Sequence, residues 1–221
     1  MIGFDIGGRI RGRKMEELLK RYPCLEKCRS DIEAAVNMLK SSYKQGGKLL
    51  VCGNGGSSAD SDHIVGELMK GFLLKRKPSE EFKAKLESLG YEDADFIAEN
   101  LQDALPAISL PAQSAVISAF ANDVSADMVY AQLVYGYGSE SDAFLGISTS
   151  GNSKNIIYAA KVAKAKGLKT LALTGSNGGL LSEICDITVK VPETETFKVQ
   201  ELHLPVYHYI CYELEKEFFE K

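Results

Sequence analysis

Nothing in the 221 residues is apolar for long enough to span a membrane, and no signal-peptide pattern opens the chain. Basic clusters are few: Lys75-Arg76-Lys77 and the region over residues 9–14. Net charge is -4 and the pI is about 5.5. Nucleic acid is therefore not expected as a partner, and neither is a membrane. No Gly-Lys-Ser/Thr element occurs, so the chain has no nucleotide P-loop and no nucleotide cofactor is expected. Cysteine is scarce and odd in number: Cys24, Cys28, Cys52, Cys185 and Cys211. Cys24 and Cys28 are four apart on a predicted helix, but no second pair completes a tetrahedral metal set. The thiols read as structural and reduced, and the expected compartment is the cytoplasm.

What the chain does hold is a core. It is 45% hydrophobic, enough for one domain over 1–221. Its organising stretch starts with an apolar run over residues 49–52, which reads as a buried strand. Gly53, Gly55 and Gly56 break that run into a tight turn, with Asn54 between them. Ser57 and Ser58 stand where a helix should start, as caps whose neighbouring N–H groups attract anions. The helix carries His63 and Glu67 four residues apart, on one face, with Cβ atoms ~5–6 Å from each other. An ordinary strand–turn–helix with a surface His–Glu pair would look the same.

Residues 142–155 repeat the same logic: an apolar strand, a polar loop, then a helix. Ser148, Thr149, Ser150 and Ser153 place four hydroxyls around Gly151, more than a helix cap needs. Hydroxyls and helix N-terminal N–H groups together satisfy phosphate oxygens without a cation. Strands alternate with helices through the chain, which predicts a parallel sheet covered on both faces. Both polar loops then lie at carboxyl ends of strands, where such sheets bind ligands. Helices are expected over 15–22 and 24–43. Their apolar positions Leu25, Ile32, Val36 and Leu39 are few for a self-sufficient hairpin, which suggests contact with another subunit. Beyond residue 72, helices are expected over 79–89, 92–101 and 113–120, with a short strand at 107–110 and a turn at Asn122-Asp123. The opening Gly3-Phe4-Asp5-Ile6-Gly7-Gly8 is similar to the start of sugar kinases over six residues only, and residues 1–13 are expected to form a loose arm.

Taken together, Asn54-Gly55-Gly56-Ser57, His63 with Glu67, Asn122-Asp123, the run from Ile147 through Ser148-Thr149-Ser150-Gly151-Asn152 to Ser153, and Gln200-Glu201-Leu202-His203 with His208 resemble the sugar isomerase (SIS) family. The likeness is greatest to the branch that isomerises sedoheptulose 7-phosphate, and it covers about residues 24–72 and 120–217. It implies an α/β, SIS-type three-layer sandwich with a central parallel sheet, N-terminal helices at 15–44 and a helical insertion at about 73–119. It implies a phosphorylated sugar held at its phosphate by Ser148, Thr149, Ser150 and Ser153, with Asn54, Gly55, Gly56, Ser57, Asn122, Asp123 and Gln200 around the sugar. The set His63, Glu67, Gln200 and His208 would act directly, with Glu67 as base and His208 as acid, or would hold Zn²⁺. A homotetramer with active sites between subunits is implied as well. The alternatives are an isomerase of another phosphosugar and a non-catalytic SIS protein that senses phosphosugars or binds a replication initiator. Two features depart from the family: the length of the 73–119 segment, and Pro205 between Gln200 and His208. A straight helix would put those two residues roughly 12 Å apart, so one small site would need a bend or a second subunit.

Overall fold

The computed structural model describes residues 6–220, with side chains from residue 14 onward. In order, the elements are α1 (Ile6–Arg21), a 3-10 turn (Pro23–Cys28), α2 (Arg29–Lys44), β1 (Leu49–Gly53), α3 (Gly56–Met69), α4 (Glu80–Ser88), α5 (Ala94–Asn100), β2 (Ala107–Ser109), α6 (Ser114–Phe120), α7 (Val129–Tyr137), β3 (Ala143–Ile147), α8 (Lys154–Ala165), β4 (Lys169–Thr174), α9 (Leu181–Ile184), β5 (Ile187–Lys190) and α10 (Thr196–Phe219). The first half of the kinase-like stretch, Gly3 to Asp5, lies outside the described residues. Residues 6–13 of the expected loose arm are helical, since α1 begins at Ile6.

The five strands are all parallel, in the order β2-β1-β3-β4-β5. The chain builds outward from β1 in one direction, then returns across it and builds in the other. The reversal falls between β1 and β3, whose carboxyl ends Gly53 and Ile147 are partners in register. The loops leaving these two strands diverge there, and a crevice opens between them.

Every residue of β1 and β3 is buried, because side chains alternate between two covered faces. Leu49, Val51, Leu145 and Ile147 point into a core made with α1, α2, α3 and α10. Leu50, Cys52, Phe144 and Ala172 point into a second core made with α7 and α8. This is the three-layer sandwich. Leu25, Ile32, Val36 and Leu39, expected to meet another subunit, are buried inside the first core of their own chain. Each such burial stabilises by roughly 1.5–3 kcal/mol, and the chain obtains it without a partner.

The 73–119 segment contributes the edge strand β2 as well as three helices. Ser79 caps α4 by accepting from the Phe82 N–H at 3.2 Å, and Gly90 at φ +73° ends it. Asn122-Asp123 does not reverse the chain. The two residues sit in a wide π-helical turn (Ala121–Ser125) that carries α6 on toward α7.

Candidate functional site

The glycine turn after β1 needs its glycines. Gly55 has φ +55°, and a Cβ at Gly53 would fall 2.3 Å from the Ser57 carbonyl oxygen. α3 therefore starts at Gly56 with Gly55 as its cap, two residues earlier than a Ser57 cap would place it. Ser57 lies inside the first turn, buried, and does not cap the helix. Asn54 remains exposed and pairs with Asn155 at the start of α8. Each amide donates to the other, at 3.0 and 2.9 Å. Asn155 joins the two loops of the crevice, and only its closeness to the serine motif marked it in the sequence.

Across the crevice, the Ser148 and Ser153 hydroxyls lie 3.0 Å apart. Ser153 occupies the N-cap position of α8 but makes no capping bond, so the N–H groups of the helix's first turn face the loop without that partner. Ser150 turns the loop by accepting from the Asn152 N–H at 3.1 Å. Gly151, at φ +67°, packs on the loop after β4, where a Cβ would stand 1.9 Å from the Gly178 carbonyl oxygen. The loop is held from below by this packing.

The acid–base residues meet further along α3. His63 Nε2 lies 3.3 Å from Glu67 Oε1 and 3.3 Å from His208 Nε2. The Tyr207 hydroxyl is 3.0 Å from His63 Nδ1 and 3.2 Å from Asp60 Oδ1. An ionised carboxylate only accepts, so the hydroxyl donates to Asp60 and accepts from the Nδ1–H of His63. Nε2 of His63 faces Glu67 and His208. Burial raises the Asp60 pKa, with the Tyr207 hydrogen bond and His63 opposing. Burial, then the neighbouring His63, lowers the His208 pKa, with Glu67 opposing. His208 is accordingly a neutral imidazole at pH 7. Phe72 stacks at 5.6 Å on one side of it and Tyr207 edge-on at 5.0 Å on another. Neither Asp60 nor Tyr207 was found from sequence, although Asp60, His63 and Glu67 share one face of α3.

Gln200 stands elsewhere. α10 runs alongside α3 as one uninterrupted helix with Pro205 inside it. Gln200 lies over the glycine turn, close enough that a Cβ on Gly56 would meet its Nε2 at 2.6 Å. Eight residues on, His208 meets His63. No bend brings Gln200 and His208 to one point; they meet α3 about two turns apart, at Gly56 and at His63. Asn122 and Asp123 are exposed and bond to each other, at 2.8 Å. Imidazole and carboxylate donors suit zinc chemically. Among the described residues, however, no three His, Cys, Asp or Glu side chains are grouped so as to hold a metal ion, and the contacts of Glu67 and His208 are pairwise through His63.

A crevice at the strand-order reversal, a hydroxyl loop on one wall and a His–Glu–His cluster beyond the other define a SIS-domain protein. The SIS domain model matches residues 13–88 and 93–175, running through most of the 73–119 segment. The chain is 37% identical to a phosphoheptose isomerase of Synechocystis sp. over 188 residues, 85% of this chain and 84% of the other. It is 37% identical to one of Clostridium acetobutylicum over 204 residues, 92% and 89%. The solved phosphoheptose isomerase of Francisella tularensis superposes with a TM-score of 0.73 at 28% identity, covering 94% of this chain and 97% of the other. The chain belongs to the SIS domain family and, within it, to the phosphoheptose isomerases.

Proposed function

We propose that the chain interconverts an aldose and a ketose phosphate, with sedoheptulose 7-phosphate as the ketose. The observation that carries this is the meeting of Glu67, His63 and His208 on two neighbouring helices, one of which starts at the glycine turn that Asn54 and Asn155 tie to the hydroxyl loop. The substrate class rests on the relatives, which are phosphoheptose isomerases at up to 37% identity over most of the chain. Ser148, Thr149, Ser150, Ser153 and the first N–H groups of α8 take the phosphate. Asn54, Gly55, Gly56 and Gln200 line the way from phosphate to reacting carbons, and Ser57, Asn122 and Asp123 are supporting positions.

Glu67 removes the proton from the carbon beside the carbonyl. His208, neutral through burial, donates its ring N–H to the carbonyl oxygen, and the product is an enediol or enediolate. Returning a proton to the former carbonyl carbon, with loss of the hydroxyl proton on the carbon first deprotonated, completes the exchange without an outside oxidant. Each proton transfer contributes about 10²–10⁴-fold. His63 holds the two groups in line, with Tyr207 and Asp60 fixing its ring. If Zn²⁺ binds, His63, Glu67 and His208 are the residues that would turn toward it, and it would polarise the carbonyl as a Lewis acid; Gln200, two turns away along α3, is not among them. The protein is read further as a cytoplasmic homotetramer with sites between subunits.

The test is proton NMR in D₂O with a panel of phosphosugars. Formation of the aldose from sedoheptulose 7-phosphate with solvent deuterium at its C2, ahead of shorter sugars, is expected. Exchange with none of them leaves a phosphosugar-binding protein. Light scattering at micromolar concentration checks the assembly, and a mass equal to one chain would reject it.

A further inference from the structure

Arg76 and Glu215 are the most deeply buried ion pair among the described residues, and the chemistry above leaves them unused. Both side chains are fully buried, with Arg76 Nε 2.8 Å from Glu215 Oε1. Arg76 sits in the polar run Lys75-Arg76-Lys77, where sequence suggests a solvated loop. Its guanidinium instead reaches back to α3. Nη1 donates to the Leu68 carbonyl at 2.7 Å, and Nη2 to the carbonyl of Glu67 itself at 3.0 Å. A guanidinium fork presents several donors in one plane, which a lysine cannot do. It also carries positive charge to a helix C-terminus, where the macrodipole favours it.

Glu215 completes the node. Beyond Arg76, its carboxylate accepts from the backbone N–H groups of Phe72 at 2.7 Å, Leu73 at 2.8 Å and Leu74 at 3.2 Å. It therefore fixes the strap between α3 and α4, and that strap presents Phe72 to the His208 ring. Glu215 also follows His208 on α10 by seven residues, two turns along the same face. One node thus touches the backbone of Glu67, the helix of His208 and the aromatic neighbour of His208. Burying a salt bridge gives little stability over apolar residues of similar volume, so stability alone is a weak reason for it to be here.

We propose that Arg76 and Glu215 are positioning residues for the reaction: the pair clamps the last turn of α3 to α10 and so sets where the Glu67 carboxylate stands against His63 and His208. This rests on the isomerase reading for its kinetic test and on the geometry alone for its spectroscopic one. The phosphate loop lies by the other end of α3, tied to the glycine turn through Asn54 and Asn155, so the clamp acts on turnover and not on substrate capture.

Arg76→Lys tests it with charge retained, and Arg76→Met with charge removed. Displacement of a reacting group by about 1 Å costs up to ~10²-fold. Arg76→Lys is expected to lower kcat by roughly 10- to 100-fold with KM within about twofold, while circular dichroism shows a folded protein. The chain has only three histidines, so a ¹⁵N imidazole spectrum resolves each of them. The His63 and His208 signals are expected to shift in Arg76→Lys, and those of His203 to stay. If Arg76→Met fails to fold, Arg76→Lys decides. A folded Arg76→Lys with native kcat and unmoved His63 and His208 signals overturns the proposal. Absent turnover in the unmodified protein, with the histidine shifts still seen in the variant, overturns the isomerase reading and leaves the clamp standing.

Discussion

Glu67 is exposed to two different tests, because it is both the proposed base and a member of the set that would hold zinc. Glu67→Gln keeps its size and removes its basicity. Turnover is expected to fall by roughly 10²-fold or more with KM little changed. Metal per chain, measured by mass spectrometry on the same samples, separates the two accounts: direct proton transfer leaves it unaltered, and ligation lowers it. Full turnover would reduce the His63–Glu67 contact to helix-surface decoration. His203 makes a prediction of another kind. It is fully buried, and burial holds its pKa down to about 4 against 6.5 for a free imidazole. Between those values the unfolded chain binds a proton that the folded chain refuses. Stability is therefore complete above pH 6.5 and is lost as pH falls toward 4, by about 3 kcal/mol in all. Thermal melts of His203→Leu should show a flatter dependence across that window than the native chain. Parallel curves would mean that His203 is not the group responsible.

Two elements of the site were legible because their signals are local. Gly53-Asn54-Gly55-Gly56 and the Ser148–Ser153 run announce turns at strand ends through residues a few positions apart, and the structure puts them on adjacent strands. α10 was not legible in the same way. Pro205 suggested a break between Gln200 and His208, yet the helix continues, so the two residues meet α3 at different levels. The Arg76–Glu215 node was invisible, since its partners are 139 residues apart in sequence and Arg76 looked like a loop cation. Gly151 shows how much the phosphate loop depends on its own packing. Ala there would need φ near +67° and would drive its Cβ onto the loop after β4. A strained backbone site costs of order 1–3 kcal/mol, and the clash adds to it. Gly151→Ala is expected to raise KM for the phosphosugar at least as much as it lowers the melting temperature. An unchanged KM would separate the loop from phosphate binding.

At the scale of the whole molecule, the alternation of strands and helices sufficed for a parallel sheet, but the order β2-β1-β3-β4-β5 depends on pairings between distant segments that no local pattern encodes. The expectation that Leu25, Ile32, Val36 and Leu39 meet another subunit failed for a related reason: four apolar residues looked insufficient only until α10 and the sheet were there to cover them. That sheet separates two cores, and each holds thiols. Cys28 and Cys211 lie in one, and Cys52 in the other. Burial pushes the Cys28 thiol up to about 11 and the Cys211 thiol up to about 12, and raises Cys52 as well. Cys24 is exposed. A thiol reagent at neutral pH should therefore label Cys24 at once and the three core thiols only when their layer opens. Mass-resolved labelling then times the two faces independently within one native sample. Equal rates for Cys28, Cys211 and Cys52 would mean that the layers open together. A faster Cys52 would mean that the face carrying α7 and α8 breathes while the face carrying the acid–base cluster stays shut.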